Sequence, residues 1–249
     1  RNALYVNAGN GRMLEGAFLA GVAKTDWSWS PALADFDGDG RLDLFVTNGM
    51  TRLFTDSDRK IPLEQWVGRS EFEVHQDAPT NPEQNLAFVN RGDLKFADAS
   101  KRWGLAGVGM SFAAAYGDLD ADGDLDLVVA NLDESLGVYR NESAGGNCVV
   151  RLQAGGNNRH GVGAVVTLKT ESGTQTRVLH PQSGFASCHD RGLHFGLGDA
   201  KKIESIQVQW PDGETQTLGP LLVKANLVIR RDENETSPPT DSDQPPRWF

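Results

Sequence analysis

We predict an all-β fold for this chain of 249 residues, and three observations support the prediction. Apolar runs are short, glycines interrupt them, and helical periodicity is absent over most of the length. The first part of the chain repeats itself, and the last part alternates polar and apolar residues between turn signals. Hydrophobic residues at 39% and charged residues at 23% are typical of a globular protein with a sizeable core.

The N-terminal part contains an internal repeat with an offset of 83 residues. Asn7 aligns with Asn90, and ADFDGDGRLDLFVTN aligns with GDLDADGDLDLVVAN, so roughly 45 residues match without a gap. A third copy begins at Val138–Asn141. A unit of about 50 residues built from short strands is typical of a propeller blade. Two units and a fraction cannot close a ring, so we predict that residues 1–146 form a partial β-propeller.

The first copy is longer than the second because it carries an insertion of about 32 residues within residues 49–85. We interpret this insertion as a surface elaboration with a small cluster of its own. The alternative is a contact site for a ligand or partner, because long insertions in propellers lie on one face.

Each full copy contains a loop that concentrates aspartates at positions 1, 3, 5 and 9. These residues are Asp35, Asp37, Asp39 and Asp43 in the first loop, and Asp118, Asp120, Asp122 and Asp126 in the second. Hard cations such as Ca²⁺ take six to eight oxygen ligands, and glycine lets the backbone turn tightly enough to direct oxygens inward. We therefore predict two Ca²⁺ sites, with the position-7 carbonyls of Arg41 and Asp124 as further ligands. Mg²⁺ is the less favoured ion, because it retains its waters.

The two loops differ from an EF-hand, which has a Glu at position 12 and helices on both sides. Position 12 is Val46 in the first loop and Val129 in the second, each inside an apolar run of strand type. We expect strand–loop–strand sites. The alternative is an empty, solvated acidic turn, but the same spacing in two copies argues against it.

The net charge of −10 argues against nucleic-acid binding, which needs clustered Lys and Arg. No run approaches the ~18 apolar residues that a membrane helix needs, so we expect no transmembrane segment. The N-terminal residues lack the pattern of a signal peptide, and we expect either a processed protein or a piece of a longer one.

The acidic repeats FDGDGRLDLFVTN and LDADGDLDLVVAN resemble the FG-GAP/VCBS repeats of integrin-type β-propellers. The resemblance covers about residues 1–146. It implies that each acidic loop joins two strands of a blade and holds Ca²⁺.

The following segment, residues 147–231, resembles the ASPIC/UnbV domain. The matching pieces are Asn158-Arg159, Gly161, Gly163-Ala164, Ser183-Gly184-Phe185, Leu193–Gly198 and Trp210-Pro211-Asp212-Gly213. This resemblance implies an all-β module beside the repeats, in a secreted protein. No catalytic activity is established across the family, so the resemblance implies no reaction.

The residues of this second domain also predict strands. VGAVVTLKTESGTQTRVLH is typical of a hairpin that turns at Glu171–Gly173, and IQVQWPDGETQTL of another that turns at Pro211–Gly213. Asn226–Arg230 is a closing strand, and five or six strands would form a small sandwich or an open barrel. We expect Trp210 to lie in the core rather than to bind a ligand, and His194 to be a hydrogen-bonded structural residue.

The chain has two cysteines, Cys148 and Cys188. An even count permits one disulfide, which would indicate an oxidising compartment and contribute roughly 3–4 kcal/mol. Two unrelated buried thiols are the alternative. Both cysteines replace residues that we expect to be polar in the resembled family, and this paired exception favours the disulfide.

We find no catalytic constellation in the sequence and expect a non-enzymatic protein. The five histidines lack the spacing of a zinc helix, and no Cys-x-x-Cys is present. Cys188-His189-Asp190 contains a thiol beside a base, but neighbours on a strand point to opposite faces.

The tail, residues 232–249, is acidic and rich in Pro, Ser and Thr, a composition typical of disorder. It ends in Trp248 and Phe249, which we predict to be anchors in a partner's groove. The sequence as a whole favours a calcium-binding interaction module in a secreted, periplasmic or cell-surface location, either alone or as a subunit of a larger assembly. Its partner is another extracellular or periplasmic protein, or a glycan. The alternative is a propeller protein that binds or processes glycans.

Overall fold

The computed structural model describes residues 1–53, 60–76, 78–143, 145–180, 182–222, 226–231 and 236–237. Nearly all regular structure in this part of the chain is β, which confirms the predicted fold class. Two short α-helices and one 3₁₀ helix occur, and no helix among the described residues has the length and apolar character needed to cross a membrane.

The elements follow one another in a regular order. The strands before residue 146 are β1 Tyr5–Asn7, β2 Met13–Glu15, β3 Ser28–Ala34, β4 Asp43–Asn48, β5 Glu83–Gln84, β6 Leu86–Asn90, β7 Phe96–Asp98, β8 Val108–Gly109, β9 Ser111–Gly117, β10 Asp126–Asn131 and β11 Gly137–Tyr139. Later strands are β12 Gly146–Gln153, β13 Val165–Thr170, β14 Gly173–Val178, β15 Leu193–Gly198, β16 Lys202–Gln209, β17 Thr215–Leu218, β18 Leu221–Leu222, β19 Asn226–Arg230 and β20 Thr236–Ser237. The helices are α1 Ala17–Ala20, the 3₁₀ helix Leu63–Gln65 and α2 Glu71–His75.

The repeat of the sequence is also a repeat of the sheets. One sheet has the order β3-β4-β6-β7, and the next has the order β11-β10-β9. The hairpin β1-β2 of the first copy is equivalent to the hairpin β6-β7 of the second. The short strands β5 and β8 pair with each other. Each acidic loop therefore connects the two strands of an antiparallel hairpin, β3-β4 or β9-β10, as expected for strand–loop–strand sites.

The described part of the insertion contains the 3₁₀ helix and α2. Residues 54–59 and 77 of the insertion lie outside the described residues. Ser70 caps α2, because its hydroxyl accepts the Glu73 N–H while the Glu73 carboxylate accepts the Ser70 N–H. Phe72 and Trp66 are exposed by 74% and 38%. Val74 of α2 is 0% exposed, so the segment has a small buried contact while its largest apolar side chains stay at the surface.

The strands from β12 onward form two sheets, with the orders β15-β12-β19-β20 and β14-β13-β16-β17; β18 also pairs with β16. Both predicted hairpins are present as β13-β14 and β16-β17. The predicted closing strand β19 lies parallel to β12, in the other sheet. Buried side chains of both sheets share one core that includes Phe195, Ile206 and Trp210, so the arrangement is a sandwich and Trp210 is a core residue as predicted.

The predicted Cys148–Cys188 disulfide is wrong for this structure, in which both cysteines are free thiols. Cys148 points into the sandwich core from β12 and is 0% exposed, whereas Cys188 lies exposed in the loop before β15. The two thiols therefore lie in different environments, one in the core and one at the surface. Burial raises the pKa of the Cys148 thiol to about 12.

Candidate metal centre

The first acidic loop brings three of its four predicted carboxylates together. Asp35, Asp37 and Asp39 each present an oxygen within 4.8 Å of the others. Asp35 is 2% exposed, and the turn folds around it, since its Oδ1 accepts the Asp39 N–H at 3.1 Å and its Oδ2 accepts the Gly40 N–H at 2.8 Å. The backbone of the loop therefore fixes the position-1 carboxylate before any ligand is considered.

Asp43, the position-9 residue of this loop, lies outside that group. Its Oδ2 accepts the Phe36 N–H at 3.0 Å, and its Oδ1 accepts the Asn90 N–H at 2.8 Å. The side chain thus joins the loop to β6, and burial raises its pKa to about 7. The assignment of Asp43 as a metal ligand stays a prediction. In the structure its carboxylate connects the acidic loop to β6 through these two hydrogen bonds.

Arg41 was predicted to contribute only its carbonyl, but its side chain is also placed at the loop. The guanidinium contacts the Asp39 carboxylate and donates from Nε to the Asn90 carbonyl at 3.0 Å. Its positive charge offsets part of the repulsion between the carboxylates of the loop.

The second loop gathers a different set of positions. Asp118, Asp120 and Asp126 present oxygens within 4.8 Å of one another. Asp126 accepts the Leu119 N–H at 2.8 Å and the Asn141 N–H at 2.9 Å, so it repeats the strand-pairing role seen at position 9 of the first loop. The repeat therefore extends to the hydrogen bonds of the turn.

Asp122, at position 5, lies outside this second group. The Arg140 side chain is 2.8 Å from an oxygen of Asp120 and 3.8 Å from one of Asp122. As in the first loop, an arginine lies beside the carboxylates and reduces their mutual repulsion.

Three carboxylate oxygens at the loops are buried without a hydrogen-bond partner in the described structure: Asp37 Oδ1, Asp118 Oδ1 and Asp124 Oδ1. A buried charged oxygen without a partner is costly, and coordination by a hard cation would satisfy it. Burial raises the pKa of Asp35 to about 6, and burial together with the neighbouring Asp122 raises that of Asp124 to about 6. The donor set, all oxygen and all acidic, fits Ca²⁺.

The sandwich contributes two groups that sequence reasoning did not assign to the loops. The Gly196 N–H donates to Asp35 Oδ2 at 3.1 Å, and the His194 ring donates from Nε2 to the Gly123 carbonyl at 2.9 Å. Both residues lie on β15, so one strand contacts both acidic loops. Gly196 is 161 residues from Asp35 in the chain, and no local pattern could have indicated the contact. His194 is a hydrogen-bonded structural residue, as predicted.

The segment 183–190 places a serine beside a histidine. The Ser183 hydroxyl lies 2.7 Å from His189 Nε2, and His189 Nδ1 accepts the Tyr116 N–H at 3.4 Å. Because Nδ1 accepts, Nε2 carries the ring proton and donates to Ser183. The ring therefore cannot take a proton from that serine. Asp190 instead forms a bidentate pair with Arg151, at 2.7 and 3.0 Å.

Trp248 and Phe249, the predicted anchors for a partner, lie outside the described residues, and their role stays a prediction.

Two family models match the chain. Residues 154–236 match the model described as ASPIC and UnbV, and residues 1–46 match the model described as FG-GAP-like repeat. The resemblance stated from the sequence motifs is confirmed by these matches.

The chain is also similar to cartilage acidic protein 1 from three vertebrates. The identity is 26% over 265 residues for the Mus musculus protein, covering 92% of this chain and 41% of the relative. It is 26% over 279 residues for the Homo sapiens protein (96% and 42%) and 28% over 287 residues for the Xenopus tropicalis protein (96% and 43%). The chain therefore spans about two fifths of the length of the curated relatives it matches.

Proposed function

We propose that this chain is an extracellular or periplasmic interaction module that binds Ca²⁺ in its two acidic loops and does no chemistry itself. The observation that supports it is the pairing of clustered carboxylates with buried oxygens that lack a partner in each loop. A divalent ion would satisfy these oxygens and remove the repulsion between the carboxylates.

The contacts of β15 with both loops suggest what the ions would do. An ion held by Asp35 and Asp37 would fix the turn that receives the Gly196 N–H, and an ion held by Asp118 would fix the turn that carries the Gly123 carbonyl. Ion binding would in this way stabilise the packing of the sandwich on the repeats. The module would then present a rigid surface to a partner.

The proposed location follows from the same chemistry. If a loop binds Ca²⁺ with a Kd of about 10 µM and free Ca²⁺ is about 1 mM, each site adds about 2.7 kcal/mol to stability. Free Ca²⁺ at that level is an extracellular condition. The name of the relatives, cartilage acidic protein 1, supports this location.

The test compares the protein with a variant that carries Asp37→Asn and Asp118→Asn. Isothermal titration calorimetry should give two Ca²⁺ per chain for the unchanged protein and none for the variant, and chelator should lower the melting temperature of the unchanged protein only. The matched control is Asp26→Asn with Asp133→Asn, because these exposed aspartates lie outside both loops. Equal melting curves with calcium and with chelator would refute the proposal.

A further inference from the structure

The three copies of the repeat unit are not equally complete. In the first copy β1 pairs with β2, and in the second β6 pairs with β7. The equivalent strand of the third copy, β11, pairs only with β10 and forms the edge of its sheet among the described residues. Where an outer strand would follow β11, the chain enters β12 and joins the sandwich.

The backbone hydrogen bonds identify the missing interaction. The Ala8 N–H donates to the Arg12 carbonyl at 2.9 Å in the first copy, and the Arg91 N–H donates to the Lys95 carbonyl at 2.8 Å in the second. The residue in the same place in the third copy is Glu142. Its N–H has no acceptor within the part of the chain that the structure describes. This donor is therefore available to an added strand.

The side-chain packing shows the same gap. In the second copy Phe96, the first residue of the outer strand, packs against the cluster that contains Ala20, Val22 and Leu44. A Cβ on Gly21 would lie 3.6 Å from the Phe96 carbonyl oxygen, whereas a Cβ on Gly104, its equivalent, would meet nothing within 4 Å.

In the third copy, no side chain of the described residues occupies the position that corresponds to Phe96. A cleft of about 700 Å³ lies along β11, and Trp103, Gly104, Leu105, Leu127 and Tyr139 are among the residues that line it. Their equivalents in the preceding copy close on the outer strand. The cleft is thus large enough for an aromatic side chain, and the edge of β11 beside it can accept a backbone.

The rim of the cleft carries both signs of charge, with Arg102 and Arg140 beside Asp37 and Glu142. Arg102 lines the cleft and lies over the Trp103 ring, 5.7 Å from its centroid, with no carboxylate in salt-bridge contact in the described structure. The outer strands of the two complete copies both end in an acid, Glu15 and Asp98. Added-strand recognition combines such a side-chain pattern with backbone pairing along an exposed edge.

We propose that β11 is a docking edge for a β-strand of a partner polypeptide. The partner strand would carry, in succession, a large apolar residue, a small or apolar residue and an acid. The strand would pair antiparallel to β11. Its acid would lie opposite Tyr139 and its large apolar residue opposite Asn141, following the register of Asp98 with Phe88 and of Phe96 with Asn90. The proposal rests on the interaction role proposed above but not on calcium binding.

The experiment uses a fluorescein-labelled peptide with the sequence of residues 92–100, GDLKFADAS, and the full chain. Fluorescence anisotropy should show saturable binding, and a peptide with Phe96→Ala should bind at least about tenfold more weakly. In the protein, Glu142→Pro removes the N–H donor and should weaken binding by a similar factor. Glu142→Ala is the matched control, because it removes the same carboxylate but keeps the N–H, and its binding should not change.

Several results would overturn the proposal. One is the absence of saturable binding up to about 1 mM peptide, and another is equal binding of both peptides. If circular dichroism shows that the Glu142→Pro variant is unfolded, amide hydrogen exchange on the unchanged protein is measured instead of peptide binding to the variant. The Arg140 and Glu142 amides must then exchange more slowly with peptide present.

Other occupants give distinguishable outcomes. Peptide affinity that rises when residues 238–249 are deleted would assign the cleft to the chain's own tail. Self-association that the peptide reverses would assign it to a second copy of the chain. Either outcome refutes a partner strand, while the calcium titration of the same protein remains an independent measurement.

Discussion

The backbone N–H of Gly196 donates a hydrogen bond of 3.1 Å to Oδ2 of Asp35, so a strand of the sandwich completes the first acidic loop of the repeats. The Gln175 side chain binds the carbonyl of the same residue, donating from Nε2 to the Gly196 carbonyl oxygen at 2.6 Å. Stability of the sandwich and order in the loop are therefore coupled.

Gly196→Ala should destabilise the protein by about 1–3 kcal/mol, the usual cost of overpacking, and weaken calcium binding. A Cβ at this position would overlap Asp35 Oδ2 and lie 2.7 Å from the Gly38 Cα, so the strand and the loop would have to separate. Urea unfolding in saturating calcium measures the loss. The matched control is Gly155→Ala, whose Cβ would meet nothing within 4 Å. Equal stability of the two variants would contradict the prediction.

His194 should make the folded protein sensitive to mild acid. Burial lowers its pKa from 6.5 to about 4, and Nδ1 is buried without a partner while Nε2 donates to the Gly123 carbonyl. The unfolded state binds the proton more readily, so stability is fully present above pH 6.5 and falls as the pH drops from 6.5 to about 4. The contribution is on the order of 3 kcal/mol.

The variant for this measurement is His194→Gln, which keeps an amide donor for Gly123 and cannot take up a proton in this range. Burial raises the pKa of Asp35 and Asp43, which has the opposite effect on stability in the same window. Melting temperatures are therefore compared between the two proteins in saturating calcium. The difference between them should shrink or reverse on acidification, and parallel curves would rule out the assigned role of His194.

The two thiols should react independently of each other. Cys188 is exposed and should react with a thiol reagent in the native protein, whereas Cys148 is 0% exposed and should react only after unfolding. Mass spectrometry of the native protein should find one label per chain in the absence of reductant. If the unfolded protein takes no label before reduction and two labels after it, the disulfide is present and the prediction is wrong.

Asp190→Asn should lower stability at neutral pH, because it leaves the Arg151 guanidinium, which is largely buried, without its bidentate partner. The expected loss is about 1–3 kcal/mol. Although burial opposes it, the hydrogen bond and charge of Arg151 hold the pKa of Asp190 below 3.8. This contribution is present above that pH and disappears as the pH falls through the folded-state pKa. Urea unfolding at pH 7 and at about pH 3 tests it, since the stability difference between the two proteins should be smaller at the lower pH.

Much of the fold could be predicted because its determinants are local. The turn residues Glu171–Gly173 and Pro211–Gly213 specify two hairpins within a few residues of the strands they join, and both hairpins are present. The spacing of Asp35, Asp37 and Asp39 likewise sets one tight turn, and the structure gathers their oxygens. Asp43 differs because one of its partners, the Asn90 N–H, comes from β6 on the far side of the insertion.

The sequence alone determined the all-β class, the repeat with its 83-residue offset and the two acidic loops, because each depends on residues close together in the chain or on a comparison of the chain with itself. Only the tertiary structure decided that β15 contacts both loops, that Cys148 faces the sandwich core and Cys188 does not, and that β11 has an open edge among the described strands. These depend on how separate sheets pack against one another. Packing joins residues far apart in the chain, and the pattern of a single segment carries no record of its distant neighbours.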